Sequence, residues 1–271
     1  MHFLLGALLL VIAPIQSSAA FANAAKDTAL PTSEKVMLEL GERFVMTSEI
    51  LGEDREILVK LPASYGEGDK RYPVVILLDG NNHFAHASVG ASLLSENEVM
   101  PEAILVALPN VAGQRGRDLA GAKENFRKFI SDEVFTLIDQ NFRTSSHRTL
   151  FGHSLAGYFA LSVFADHGEM FDSYIVASPV IQVRDSELIG KFELLLKGGI
   201  QGNKRLYLTI TDADAEVQGA NPAFDKFVDL LEAQPSDKLK WRSEFIKGQV
   251  HMTTPFLTLY AGLAFAFNQA Q

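Results

Sequence analysis

The sequence predicts an α/β fold: a mainly parallel sheet with helices on both faces and an antiparallel hairpin at its N-terminal edge. Three observations carry that expectation. Runs of consecutive aliphatic residues recur along the chain, each of strand length and apolar enough to be buried on both faces. Segments of helical periodicity separate them, as strand–helix alternation in a parallel sheet requires. One junction, Thr149 to Ala160, reads as an apolar strand, a sharp turn of small residues and an apolar helix, with a serine at the apex of the turn.

In chain order, Phe44 to Leu51 and Arg55 to Leu61 alternate apolar and polar residues around Gly52-Glu53-Asp54, which is a hairpin pattern. Tyr72 to Gly80 contains five successive aliphatic residues and opens the parallel strands. Ala103–Leu108, the strand before Ser154, Ser173–Ala177 and Leu206–Ile210 continue them. Lys240–Ile246 alternates and suits a sheet edge. Helices are expected over His83–Glu96, Lys123–Gln140, the stretch after Ser154, Asp185–Lys197, from Pro222 and after Pro255. In the second of these, Phe126, Phe129, Ile130, Phe135, Leu137 and Ile138 fall loosely at helical spacing on a charged background. No repeat or linker divides the chain.

The chain of 271 residues carries 33 acidic and 24 basic side chains, a formal charge of −9, and no cysteine. The acidic balance argues against nucleic acid, whose phosphates call for basic patches. The lack of cysteine excludes disulfides, thiol catalysis and Cys-ligated zinc. Phe3–Ile12 is an apolar run followed by Pro14, small polar residues and an Ala20-Phe21-Ala22 cleavage pattern. Residues 1–22 are therefore expected to be an export signal, leaving 23–271 as a single domain. An exported chain without disulfides fits a bacterial periplasm or a secreted location.

The Gly152-His153-Ser154-Leu155-Ala156 turn has the strand–turn–helix context of the nucleophile elbow of an α/β-hydrolase fold. Small residues at Gly152 and Ala156 let the helix approach the strand. Serine needs a base within hydrogen-bond reach, and in this fold the chain order is serine, acid, histidine. His251, directly after the last strand, is the candidate base. The loop after Leu206–Ile210 offers Asp212, Asp214 and Glu216. Asp214 is preferred, because its place three residues past the strand lets the loop turn back toward His251. The oxyanion hole draws on the N–H of Leu155 and on the loop after the first parallel strand, where Asn81 is the expected donor and Gly80 permits a tight turn. Asp79 reads as a strand-end residue.

Arg115, Arg117 and Asp118, in the Gly113–Gly121 loop on the active side of the sheet, could bind a polar or anionic part of a substrate or only pair with each other. His83 and His86 stand at i, i+3 without a third ligand and are read as packing residues. His153 should point away from the apex of the turn. No metal or organic cofactor is called for.

Taken together, Tyr72–Gly80, Arg115-Gly116-Arg117-Asp118-Leu119, Arg148–Gly157, Ala177-Ser178-Pro179, and His251-Met252-Thr253-Thr254-Pro255 running into Leu259–Leu263 resemble the putative-esterase family of α/β hydrolases. That family includes enterobactin-type siderophore esterases and related periplasmic acyl-ester hydrolases. The resemblance runs from about residue 45 to the end and implies Ser154 as nucleophile and His251 as base. It departs at Ala156, where the family usually has glycine, and at Val180-Ile181-Gln182, where aromatic residues are common. The expected function is an exported serine esterase acting through an acyl-enzyme on a small-molecule ester, such as a siderophore, an acylated sugar or a lipid. An acyltransferase on the same site and a non-catalytic ligand-binding protein are the alternatives.

Overall fold

The computed structural model describes residues 33–181, 185–212, 214 and 220–268. The expected export signal lies outside them. Internal contacts divide the chain between Leu38 and Glu39. In the first unit the described residues 33–38 are exposed and form neither helix nor strand. All elements named below belong to the second.

Its strands are β1 (Glu42–Ser48), β2 (Glu53–Lys60), β3 (Tyr72–Leu77), β4 (Ile104–Ala107), β5 (Thr144–His153), β6 (Ser173–Ala177), β7 (Lys204–Thr211) and β8 (Leu239–Ile246). They form one sheet in the order β1-β2-β4-β3-β5-β6-β7-β8. The β1–β2 and β2–β4 pairs are antiparallel, and every later pair is parallel. The hairpin therefore caps one edge, and the alternating β8 forms the other, as its pattern predicts.

The helices are α1 (Gly80–Glu96), α2 (Lys123–Lys128), α3 (Phe135–Asn141), α4 (Leu155–His167), α5 (Asp185–Gly198), α6 (Ala220–Ala233) and α7 (Thr254–Phe267). Strand residues of period two send alternate side chains to opposite faces. Val74 and Ile76 join Phe159 and Phe164 of α4, Phe192 of α5 and Phe227 of α6. Val75 and Leu77 join Phe84 of α1 with Leu259 and Leu263 of α7. Both faces are thus covered, and the central strands can be apolar throughout.

The expected single helix over Lys123–Gln140 is instead α2 and α3 joined by a π-type segment, Phe129–Val134. At about 100° per residue a regular helix would carry Val134 and Ile138 progressively round its axis, away from Phe126. The wider turn takes up that drift, and Phe126, Phe129, Ile130, Val134 and Ile138 are all buried. From the same segment, Glu133 accepts the N–H groups of Glu49 (2.8 Å) and Ile50 (3.1 Å) in the hairpin turn.

Beneath the hairpin, Arg55 is 1 % exposed and donates to the equally buried Asp118 at 2.7 Å. Its guanidinium lies 5.3 Å from the ring centres of both Phe126 and Phe129. Glu53, nearer the surface, accepts from both Arg55 and Arg117. Removing one partner of a buried pair leaves the other charge uncompensated. Asp118→Ala should therefore destabilise the fold by about 3 kcal/mol in urea denaturation. Glu53→Ala, which keeps Arg55 on Asp118, should cost clearly less. Equal losses would contradict this account of the cluster.

Candidate active site

The turn after β5 places Ser154 at φ 59° and ψ −118°, a backbone conformation that a residue with a Cβ rarely adopts. Neighbouring bonds fix it there. Ser154 N–H donates to Ala177 O at the end of β6 (2.9 Å). Its own carbonyl accepts from Tyr158 N (3.0 Å) in α4 and from Val180 N (3.2 Å). Gly152 has no substitute, because a Cβ there would lie 2.3 Å from Ala156 O and 2.6 Å from Ala156 C. Ser154 itself remains half-exposed at the carboxyl end of the sheet.

The loop after β8 returns His251 to this turn, with the His251 ring centre 4.6 Å from that of His153. His251 Nδ1 is 2.5 Å from Asp214 Oδ1. The other Asp214 oxygen accepts Thr211 N–H at 3.0 Å. Burial works to raise the Asp214 pKa, but hydrogen bonding by His251, Ser178 and Thr211 outweighs it and holds the carboxyl below its ordinary value. An ionised Asp214 can only accept, so Nδ1 carries the proton and Nε2 is free to take another. Asp212 is engaged elsewhere, accepting Gly248 N–H at 2.6 Å. Glu216 lies outside the described residues. The Thr211 hydroxyl is 2.8 Å from both Ile246 O and Gln249 O, which ties the Asp214 loop to the His251 loop.

The loop after β3 lies beside the elbow, since Leu77 pairs with Phe151. Leu155 opens α4, so its N–H is one of the helix-end donors without an intrahelical partner. At the start of α1, Gly80 N–H donates to Leu108 O (2.9 Å) and Asn82 N–H to Asp79 O (2.8 Å). The Asn81 N–H lies between them in the first turn of α1. Gly80 has a different reason from the one the sequence suggests. The left-handed residue of the turn is Asp79, at φ 52°, whereas a Cβ on Gly80 would meet the Leu108 backbone at 2.8 Å.

Asp79 is the residue that sequence reasoning undervalued. Its buried carboxylate receives Arg115 Nε and Nη2 at 2.7 and 2.8 Å and Asn110 Nδ2 at 2.6 Å. Burial pushes its pKa up, and Arg115 more than reverses this. Arg115 Nη2 is also 3.4 Å from His153 O, so one side chain joins the β3 loop to the elbow strand. Of the two expectations for Arg115 and Arg117, the ion pairs give the pairing one its partners. Arg115 holds Asp79, and Arg117 is engaged by Glu53 and Asp118 under the hairpin. An aspartate at a strand end, followed 36 residues later by an arginine, carries no local signal that would reveal the pair.

His83 and His86 pack as expected of helix residues. Their rings are linked Nδ1 to Nε2 at 3.0 Å, His83 lies edge-on to Phe151, and His86 stacks on Phe256. Among the described residues no three side chains of His, Asp or Glu converge to hold a metal ion. His153, expected to point away, lies between His83 and His251. Burial, helped by those two neighbours, lowers its pKa to about 3. Burial likewise lowers His83 and His86 to about 4. A separate cavity of about 710 Å³, lined by His147, Lys204 and Arg205 among others, sits at the opposite end of the strands.

A family model described as putative esterase matches residues 48–252. The chain belongs to the putative-esterase family. Within it, the chain is 26 % identical over 113 residues to the ferri-bacillibactin esterase BesA of Bacillus subtilis, covering 41 % of this chain. The match spans only about two fifths (39 %) of that relative's length. Among solved structures, the BES protein of Bacillus cereus superposes with a TM-score of 0.76 at 25 % identity, over 88 % of this chain and 99 % of that one. An IroE-like serine hydrolase from Shewanella oneidensis gives 0.77 at 23 % identity, over 83 % and 79 %. The two solved structures share the α/β architecture described above.

The lowered histidine pKa values have a consequence for stability. In the unfolded chain these groups take up protons below about pH 6.5, whereas in the folded chain they resist until about 4 or lower. Over that window the unfolded state binds more protons, so folding stability falls as pH drops from about 6.5 towards 4. His83→Phe should flatten that decline by roughly 2–3 kcal/mol between pH 7 and pH 4. Urea unfolding at several pH values would show it, and parallel pH profiles would contradict it.

Proposed function

We propose that the protein is an exported serine ester hydrolase, acting through an acyl-enzyme on a small-molecule ester. The observation that carries the reading is a serine on a strained strand–helix turn, whose chain neighbour His153 packs against a histidine held at Nδ1 by an ionised aspartate. Family membership supports ester chemistry as the reaction class.

In this mechanism Ser154 Oγ attacks the ester carbonyl carbon while its proton passes to His251 Nε2. The carbonyl oxygen becomes an oxyanion facing the N–H groups of Leu155 and Asn81. Asp214 keeps the imidazole in the correct tautomer and stabilises the imidazolium. Collapse of the tetrahedral intermediate breaks the bond to the alcohol, which leaves with the proton from Nε2. Water then gives its proton to Nε2 and attacks the acyl carbon, and the second collapse frees the acid and restores Ser154. Every proton and electron pair is accounted for by the chain and water, without a metal or cofactor.

The location is proposed from the leader-like residues 1–22. Among the described residues no helix is long and apolar enough to cross a membrane. The name of the Bacillus subtilis relative makes a siderophore ester the first natural substrate class to try, ahead of acylated sugars and lipids.

Hydrolysis of a short-chain p-nitrophenyl ester tests the assignment. Ser154→Ala should lower kcat by ~10⁴-fold or more, because the members of such a site act as a unit. Asp214→Asn should lower it by ~10³- to 10⁴-fold through the wrong tautomer, and Asp212→Asn by no more than about twofold. Unchanged hydrolysis by the Ser154 variant would overturn the mechanism.

A further inference from the structure

We propose that His153 is a positioning residue for His251: its buried ring fixes the plane of the base and gives the imidazolium formed in turnover an uncharged face to lie against. The proposal rests on the serine-esterase reading and adds to it a group that the proton transfers themselves do not use.

The Asp214 contact at Nδ1 and the Cβ–Cγ bond together leave the His251 ring some freedom to tilt. A second contact, on the ring itself, restrains that tilt. His153 supplies it at 4.6 Å between ring centres, with the planes inclined by 43°.

His153 is well suited to hold position. It is the last residue of β5, paired with Ala177 of β6, and is 4 % exposed. Behind it stands His83, perpendicular at 5.9 Å, itself edge-on to Phe151 at 5.1 Å. His83 is bonded to His86, whose ring stacks at 4.0 Å on Phe256. Phe256 belongs to α7, the helix that follows His251. The contacts therefore run from the elbow strand through α1 to α7 and close on the loop that carries the base.

The surroundings of His153 also keep it uncharged. The titratable groups facing it are His251 from the loop before α7, His83 from α1, and Asp79 from the end of β3. Asp79 is neutralised by Arg115. His153 Nε2 has no hydrogen-bond partner; Asp79 and a backbone hydrogen bond with His251 favour its protonation, but burial and the two neighbouring imidazoles outweigh them. A second imidazolium at this distance would oppose the one that forms on His251, whereas a neutral aromatic face favours it.

The test compares His153→Ala with His153→Phe, which restores a neutral ring without a titratable group. Kinetics on a p-nitrophenyl ester are read beside the downfield proton resonance of His251 Nδ1–H. His153→Ala should lower kcat by about 10- to 100-fold, the scale of a misplaced catalytic group, with KM changed by no more than about threefold. The resonance should be lost to solvent exchange. His153→Phe should recover kcat to within about threefold of the parent and restore the resonance. Should the alanine variant fail to fold, His153→Leu, apolar but without a ring, takes its place. A normal kcat and resonance in the alanine or leucine variant, or a folded phenylalanine variant as impaired as alanine, would overturn the proposal. The resonance requires no substrate, so it decides the role of His153 even if no ester is hydrolysed, a result that would count against the esterase reading alone.

Discussion

A serine held at positive φ persists only where the chain on both sides leaves it no alternative. At Ser154 the constraint is the close approach of α4 to β5, made possible by the missing side chain at Gly152 and the single methyl of Ala156. The N–H of Ser154 is anchored on β6, and its carbonyl on α4 and on the segment after Ser178. Ala156 stands where the family usually has glycine, and the approach survives because the Cβ that would collide belongs to position 152.

From that turn outward, each element of the site is fixed by a partner remote in sequence. Thr211 joins the ends of β7 and β8, so that Asp214 and His251 meet from different loops. Thr209 and Thr258 share a buried hydroxyl contact at 2.6 Å, which seats α7 on the sheet just below. Arg115 bridges Asp79 and the His153 carbonyl, fixing the loop after β3 against the turn at Ser154. The site is thus assembled from β3, β5, β7 and β8, at the carboxyl ends where an open α/β sheet collects its ligands.

The fold was largely legible because aliphatic runs such as Val74–Leu78 and Ile104–Leu108 have one physical reading, a strand buried on both faces. The hairpin and the β8 edge were equally open to reading, since alternation marks one wet face. The π segment at Phe129–Val134 was not, because its spacing differs from an α-helix only by a gradual drift. In the site, Ser154 and His251 could be placed by local context and chain order, and Asp214 by loop length. Tertiary pairing was invisible. Arg115 and Arg117 look like available cations in a glycine-rich loop, yet each meets a carboxylate contributed by a distant strand end or hairpin. The orientation of His153 depends on how α1 and α7 close around it, which no local pattern records.

The central claim is that Ser154 is activated by His251 and Asp214, and its most direct test is covalent. The protein would be treated with a fluorophosphonate, and the modified residue located by peptide mass spectrometry, in the parent and in His251→Ala. The account predicts one adduct, on Ser154, whose formation is nearly abolished in the histidine variant. Labelling at another residue, no labelling of the parent, or labelling of Ser154 at an unchanged rate without His251 would contradict it.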